Sequence, residues 1–181
     1  MHGKFWMRSL IFLLIAGFTT VAVAAEKGLS SKDKEFAKKA ASGGMMEVKL
    51  GKKAQEKASS PDVKKFGQMM ETEHGKANDE LKTIAEKKNI TLPKELESKH
   101  KSIVKKMDDT KGAEFDKAYM KEMVKDHMED IEEFQKGKDS VKDPELKAWI
   151  EKTLPTLESH LKAAKETAAK VGVDVKKLEK K

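Results

Sequence analysis

Apolar residues recur every three to four positions along most of the chain, which is the spacing of one face of an α-helix. No stretch beyond residue 30 alternates in the manner of a strand, so the pattern predicts an all-α domain. Turn and capping signals place helices at about 31–59, 61–84, 91–107, 113–136 and 144–171. The apolar side of the first is traced by Phe36, Ala40, Gly44, Val48, Gly51, Ala54 and Ala58.

The long helices form two pairs with short connections. Ser60 and Pro61 separate the first pair, while Gly137 and Asp143-Pro144 close the second, and short connections make antiparallel neighbours. Residues 61–66 also resemble residues 144–149, so the hairpins repeat one another. Two hairpins with a short extra helix in the crossover outline a ferritin-like four-helix bundle. A plain up-down-up-down bundle with an inserted helix is the alternative that the sequence leaves open.

The ends of the chain differ from its middle. Residues 1–25 resemble a bacterial secretory signal peptide, with a basic start, an apolar run from Leu10 to Phe18 and a small-residue cleavage site at 22–25. The run is too short to span a bilayer, so we expect a periplasmic protein, soluble after cleavage and without stable membrane insertion. We assign residues 31–171 to a single helical bundle domain and residues 172–181 to a frayed basic C-terminal tail.

Charge and composition narrow the range of partners. The formal net charge is +7, and removing residues 1–25 takes away Lys4 and Arg8, which leaves +5 and no arginine. Specific nucleic-acid recognition depends heavily on the guanidinium fork, so we expect no nucleic-acid partner. Absence of cysteine excludes disulfides and thiolate metal sites.

The histidines supply the candidate chemistry. After the signal peptide all four lie on or beside an apolar stripe, namely His74, His100, His127 and His160. A buried imidazole needs a hydrogen-bond partner or a metal, because an unsatisfied buried polar group costs roughly 1–3 kcal/mol. Glu71 and His74 also form a Glu-x-x-His pair, the spacing that brings both side chains to one metal in ferritin-like carboxylate proteins. For His100 we expect a hydrogen bond or a pH-sensitive contact between crossover and bundle.

Position along the helices suggests which residues meet. Glu47 and His74 are nearly equally far from the first turn, so they lie at one level. Counted from Gly137 and Pro144, His127 and His160 differ in level by up to ~9 Å, which makes His160 the weaker candidate. We predict a mononuclear site with ligands drawn from Glu47, Glu71, His74, Asp126, His127 and His160.

These ligand types suit Zn or Cu, and iron less well. A di-iron centre needs a second Glu-x-x-His pair, and Leu157 stands where its Glu belongs. Met70 and Met123, each four residues before a histidine, would suit Cu(I) or simply fill the core.

Three segments resemble an exported bacterial family of unknown function, DUF4142. They are residues 36–48, 143–149 and 153–161, within a similarity that extends from about Phe36 to Ala168. The resemblance implies a ferritin-like helical fold and an envelope location, and brings no established activity.

Two functions follow from the sequence. One is transition-metal binding in the bundle core for storage, buffering or stress tolerance. The other is a metal-free structural or interaction protein of the envelope, whose partner is an envelope protein or a second copy of the chain. No nucleophile and base pair, phosphate loop or dinucleotide motif points to an enzyme.

Overall fold

The structure, a computed structural model, describes residues 29–180, which contain helices and no strand. The all-α prediction is therefore confirmed, while the predicted signal peptide at 1–25 lies outside the described residues. The helices are α1 (Ser31–Lys57), α2 (Pro61–Lys87), α3 (Ser98–Lys106), α4 (Gly112–Ser140), α5 (Pro144–Lys170) and α6 (Val175–Glu179).

The four long helices form a ring. α1 packs against α2 and α4 against α5, and the two hairpins meet through α1 with α4 and α2 with α5. The crossover runs along α1 from its middle to its end, since His100 contacts Ser42 while Asp108 contacts Lys53 and Lys57 near the end of α1. This return makes α4 parallel to α2 and antiparallel to α1. It is the connection of a ferritin-like bundle and rules out the up-down-up-down alternative.

Each hairpin holds the turn of the other. Asp33, near the start of α1, accepts hydrogen bonds from the backbone N–H groups of Lys142 and Asp143 at 3.1 and 3.3 Å. Asp116, near the start of α4, accepts those of Ser59 and Ser60 at 3.1 and 2.9 Å. We call this pair of contacts the reciprocal turn clamp. Two buried carboxylates thus satisfy N–H groups just ahead of α2 and α5.

The apolar core consists of two clusters at opposite ends of the bundle. One surrounds Leu50, Phe66 and Tyr119, near the turn between α1 and α2. The other surrounds Leu81, Trp149 and similar residues near the turn between α4 and α5. Buried polar residues lie on all four long helices at the level between these clusters.

The backbones of α1 and α2 approach closely where two glycines face each other. A Cβ on Gly51 would lie 2.5 Å from the carbonyl oxygen of Gly67, and a Cβ on Gly67 would lie 2.7 Å from that of Gly51. Glycine at both positions therefore sets the spacing of this hairpin. α1 is continuous through Ser42, Gly43 and Gly44.

Three predicted boundaries were wrong. Residues 91–97 are not helical, because Pro93 disfavours a helical Leu92 and the N–H of Glu97 is bound by Ser42 Oγ at 2.9 Å. Gly137 lies inside α4, where a Cβ would come within 2.6 Å of the Phe36 ring. The predicted frayed tail contains α6, which Asp174 caps and whose Leu178 packs into the core.

Candidate metal centre

Five polar side chains are buried together between the two apolar clusters. Glu47 comes from α1, His74 from α2, Asp126 and His127 from α4, and His160 from α5. None is more than 5% exposed, and Glu47 and His127 are at 0%. We call these five residues the buried centre.

The three histidine rings surround a common point. Their centroids are 5.6 Å apart for His74 and His127, 5.0 Å for His74 and His160, and 5.5 Å for His127 and His160. One ring nitrogen from each lies within 4.8 Å of the other two, so the three can hold a single metal ion. His74 Nε2 and His160 Nδ1 lie 3.2 Å apart.

Each ring also has an oxygen atom beside one of its nitrogens. His127 Nδ1 donates to the carbonyl oxygen of Met123 at 2.9 Å, and His160 Nε2 lies 2.9 Å from Glu73 Oε2. His74 Nδ1 lies 2.6 Å from Glu47 Oε2. In His127 and His160, an acceptor at one nitrogen fixes the tautomer that leaves the lone pair of the other nitrogen available.

Several buried polar atoms of the buried centre have no hydrogen-bond partner. Glu47 Oε1 lies 3.3 Å from His127 Nε2, and Glu47 with Asp126 and His127 forms a second group whose ligand atoms lie within 4.8 Å. These contacts are close without hydrogen-bond geometry, so both Glu47 oxygens, Asp126 Oδ2 and His127 Nε2 have no hydrogen-bond partner. Unpaired buried polar atoms are costly, and a cation among them would satisfy several at once.

Burial controls the protonation of the buried centre. Burial lowers the pKa of His74 to about 4, although the negative charges of Asp130 and Glu73 act in the opposite direction and raise it. The pKa of His127 is lowered by burial and then by His74 and His160. Burial raises the pKa of Glu47 well above its usual range. At neutral pH the imidazoles are therefore neutral, which is the form that binds metals.

The structure brings together all predicted site residues except one. Glu71 is bound by Gln55 Nε2 at 2.7 Å and lies 3.7 Å from Lys52 Nζ, away from the histidines. His160 belongs to the buried centre despite its predicted offset. That offset took Gly137 as the turn, whereas α4 continues to Ser140 and brings His127 and His160 to similar levels.

Sequence reasoning missed Asp130, which is half-buried next to the buried centre. Together with Glu47 and His74 it lines a cavity of about 20 Å³, enough for one water molecule or ion. Burial raises its pKa, followed by the charge of Glu47. The alignment of the two hairpins that places Pro61 opposite Pro144 also places Glu47 opposite Asp130. Extending this repeat into the first helix of each hairpin would therefore have identified Asp130.

Comparison with known proteins identifies one family. Residues 18–167 match the family model described as Domain of unknown function (DUF4142), and the chain belongs to this family. No curated protein and no solved structure matches the chain. Within the described residues, no helix is long and apolar enough to cross a membrane.

Proposed function

We propose that this member of a family of unknown function binds one transition-metal ion, Zn or Cu in preference to Fe, in the buried centre. His74, His127 and His160 are the ligands, and Glu47 orients His74 and balances the charge of the ion. Holding this ion in the periplasm for storage, buffering or stress tolerance is the proposed role. The observation that carries the proposal is the convergence of three neutral imidazoles, each with an oxygen atom beside its other nitrogen.

The spacing supports a four-coordinate metal. Nitrogen ligands about 2.0–2.1 Å from a tetrahedral zinc lie about 3.3 Å from each other, with ring centroids about 5 Å apart. The His74 and His160 nitrogens are 3.2 Å apart, and all three centroid distances are between 5.0 and 5.6 Å. Small side-chain rotations would bring the third nitrogen to the same point.

The donor set supports the choice of metal. Three imidazoles beside a carboxylate suit Zn and Cu, whereas a di-iron centre needs a second Glu-x-x-His pair. Leu157 occupies the place of that second Glu and is buried in the apolar cluster around Trp149. Met70 and Met123 are both fully buried among apolar side chains of the other cluster, so we assign them to packing.

The test uses tag-free protein isolated from the periplasm. We expect about one Zn or Cu per chain by elemental analysis, and a thermal stabilisation on adding metal that corresponds to about 2.7 kcal/mol at a hundredfold excess over Kd. His127→Ala should lose both, while the matched control His100→Ala should keep both, because His100 bonds Ser42 outside the buried centre. Metal retained equally in both variants, or in neither variant nor wild type, contradicts the proposal.

One observation favours the metal-free alternative. His74 Nε2, His160 Nδ1, His160 Nε2 and Glu73 can form a hydrogen-bonded chain that satisfies two rings without an ion. In that case the protein is a structural or interaction protein of the envelope, and its partner is an envelope protein or a second copy. No metal in the isolated protein and no shift in melting temperature support this alternative.

The envelope location has its own test. We expect intact-mass measurement on a periplasmic extract to give a chain that starts at Ala25 or Glu26. Recovery of only the full-length chain in the membrane fraction would contradict export and cleavage.

A further inference from the structure

A groove on one side of the bundle leads from the surface toward the buried centre. It lies between α1, α3 and α4 and has a volume of about 240 Å³. We call it the access groove, and its polar lining includes Glu97, His100, Asp126, Glu129, Asp130 and Glu133.

The charge of the access groove is opposite to that of the protein. Three exposed carboxylates, Glu97, Glu129 and Glu133, line it against two lysines, in a chain whose formal net charge is +7. Burial raises the pKa of the other two acids of the groove, Asp126 and Asp130. Both lysines are paired, Lys99 with Glu129 at 2.5 Å and Lys39 with Glu35 at 3.3 Å. A recess lined by charge of one sign focuses the field and raises the local concentration of the opposite ion.

Two carboxylates connect the access groove to the buried centre. Asp126 lines the groove, is 5% exposed, and lies within the group of ligand atoms formed with Glu47 and His127. Its Oδ2 has no hydrogen-bond partner. Asp130 lines both the groove and the small cavity that Glu47 and His74 share. Oxygen ligands are therefore available at each stage between solvent and the histidines.

Gly43 keeps the access groove open above Asp130. A Cβ at this position would lie 3.9 Å from Asp130 Oδ1 and 4.0 Å from His100 Cε1, which is ordinary contact. His100 forms the wall opposite Asp130, and its position is fixed because His100 Nδ1 is hydrogen-bonded to Ser42 Oγ at 2.7 Å. Alanine would fit here, whereas a longer side chain would fill the space between Asp130 and His100.

We infer that the access groove is a cation-loading site, through which a divalent metal ion reaches the buried centre by way of Asp126 and Asp130. The inference rests on the proposed metal centre and adds the path of the ion. Water ligands of the ion are exchanged for carboxylate oxygens in the groove, and these are exchanged for imidazole nitrogens within.

The test compares Gly43→Leu with Gly43→Ala in the full chain, using Zn²⁺ alone and a chromophoric zinc indicator. Gly43→Leu should slow uptake and release at least tenfold in stopped-flow measurements and leave Kd within twofold, because an obstruction in a single path slows both directions equally. Gly43→Ala should match wild type. Equal rates in the two variants would overturn the path, whereas no binding by wild type would overturn the metal centre and the path together.

A second pair of variants keeps the inference testable if Gly43→Leu does not fold. Glu133→Lys reverses an exposed charge of the access groove, and Glu151→Lys reverses an exposed charge on α5 outside it. At low ionic strength Glu133→Lys should slow uptake several-fold more than Glu151→Lys, and the difference should vanish in about 1 M salt, where the Debye length is about 3 Å. Equal effects of the two substitutions contradict the inference.

A second groove, lined by Thr72 and Glu73, is the rival path, because Glu73 contacts His160. Thr72 is exposed, so Thr72→Leu can obstruct that groove without entering the core. We expect uptake by Thr72→Leu at the wild-type rate. Slowing by Thr72→Leu with no slowing by Gly43→Leu would assign the path to the rival groove.

Discussion

Replacing Glu47 with Gln should stabilise the metal-free protein and weaken metal binding at the same time. Glu47 is fully buried, neither of its oxygens has a hydrogen-bond partner, and burial raises its pKa. The amide keeps the shape of the side chain and removes the ionisation. The same substitution removes the carboxylate that lies 2.6 Å from His74 Nδ1 and 3.3 Å from His127 Nε2.

The pH dependence gives the magnitude of the first effect. Above the unfolded value of about 4.5, the unfolded chain loses the Glu47 proton while the folded protein keeps it. The folded state then binds one proton more, so the free energy of unfolding falls by about 1.4 kcal/mol for each pH unit up to the folded pKa. Glu47→Gln has no proton to lose and so lacks this pH dependence. The free energy of unfolding of Glu47→Gln relative to wild type should therefore increase by up to about 1.4 kcal/mol per pH unit from about pH 5 upward.

Urea unfolding at pH 5.5, 6.5 and 7.5 in the presence of a chelator measures this advantage, and zinc titration measures the second effect. We expect a 10–100-fold weaker Kd for Glu47→Gln, the usual cost of losing a partner that orients a metal ligand. Glu71→Gln is the control, because Glu71 lies on the same bundle outside the buried centre. A stability difference that does not change with pH, or unchanged zinc affinity, would refute this account of Glu47.

Three further predictions concern stability, measured by urea or thermal unfolding of the metal-free protein. Gly51→Ala should lower the free energy of unfolding by about 1–3 kcal/mol, because its Cβ meets the Gly67 backbone. The control Gly75→Ala, with nothing within 4 Å of its Cβ, should raise it by about 0.5–1 kcal/mol. Equal effects of the two substitutions would contradict the close approach of α1 and α2. Asp116→Ala should cost about 2–4 kcal/mol through three lost hydrogen bonds, and Asp62→Ala, which removes only an exposed ion pair, less than about 1 kcal/mol. Tyr119→Phe should leave stability unchanged or raise it by about 1 kcal/mol, because the Tyr119 hydroxyl is buried without a partner; a clear loss would indicate an unrecognised hydrogen bond.

The four long helices could be predicted because the signals at most of their ends are local. Ser30 caps α1, and Pro61 and Pro144 begin α2 and α5 as their positions in the sequence indicate. The all-α fold class was confirmed by the structure, and the family by the match to its family model. The order of the helices required the crossover contact between Ser42 and His100, which no periodicity reveals.

The inward face of α1 was predicted less well, because it carries buried acids. Phe36, Ala40 and Val48 were expected inside and are only partly buried, while Asp33 and Glu47 are almost completely buried. A search for apolar stripes therefore assigns the wrong inward face to such a helix. Glu47 was nevertheless found by its level relative to His74, whereas Asp130, half-buried in an acid-rich stretch, is marked only by its alignment with Glu47 in the hairpin repeat.

Through the reciprocal turn clamp, the two hairpins of this chain contact each other as the two subunits of a symmetric dimer would. Neither hairpin can satisfy the N–H groups at its own turn, since Asp33 and Asp116 each serve the turn of the opposite hairpin. A lone ancestral hairpin would meet the same need by pairing with a second copy about a twofold axis. The same arrangement would let two chains exchange hairpins through residues 88–111 and keep all of these hydrogen bonds. A domain-swapped dimer is therefore the alternative assembly that this fold allows.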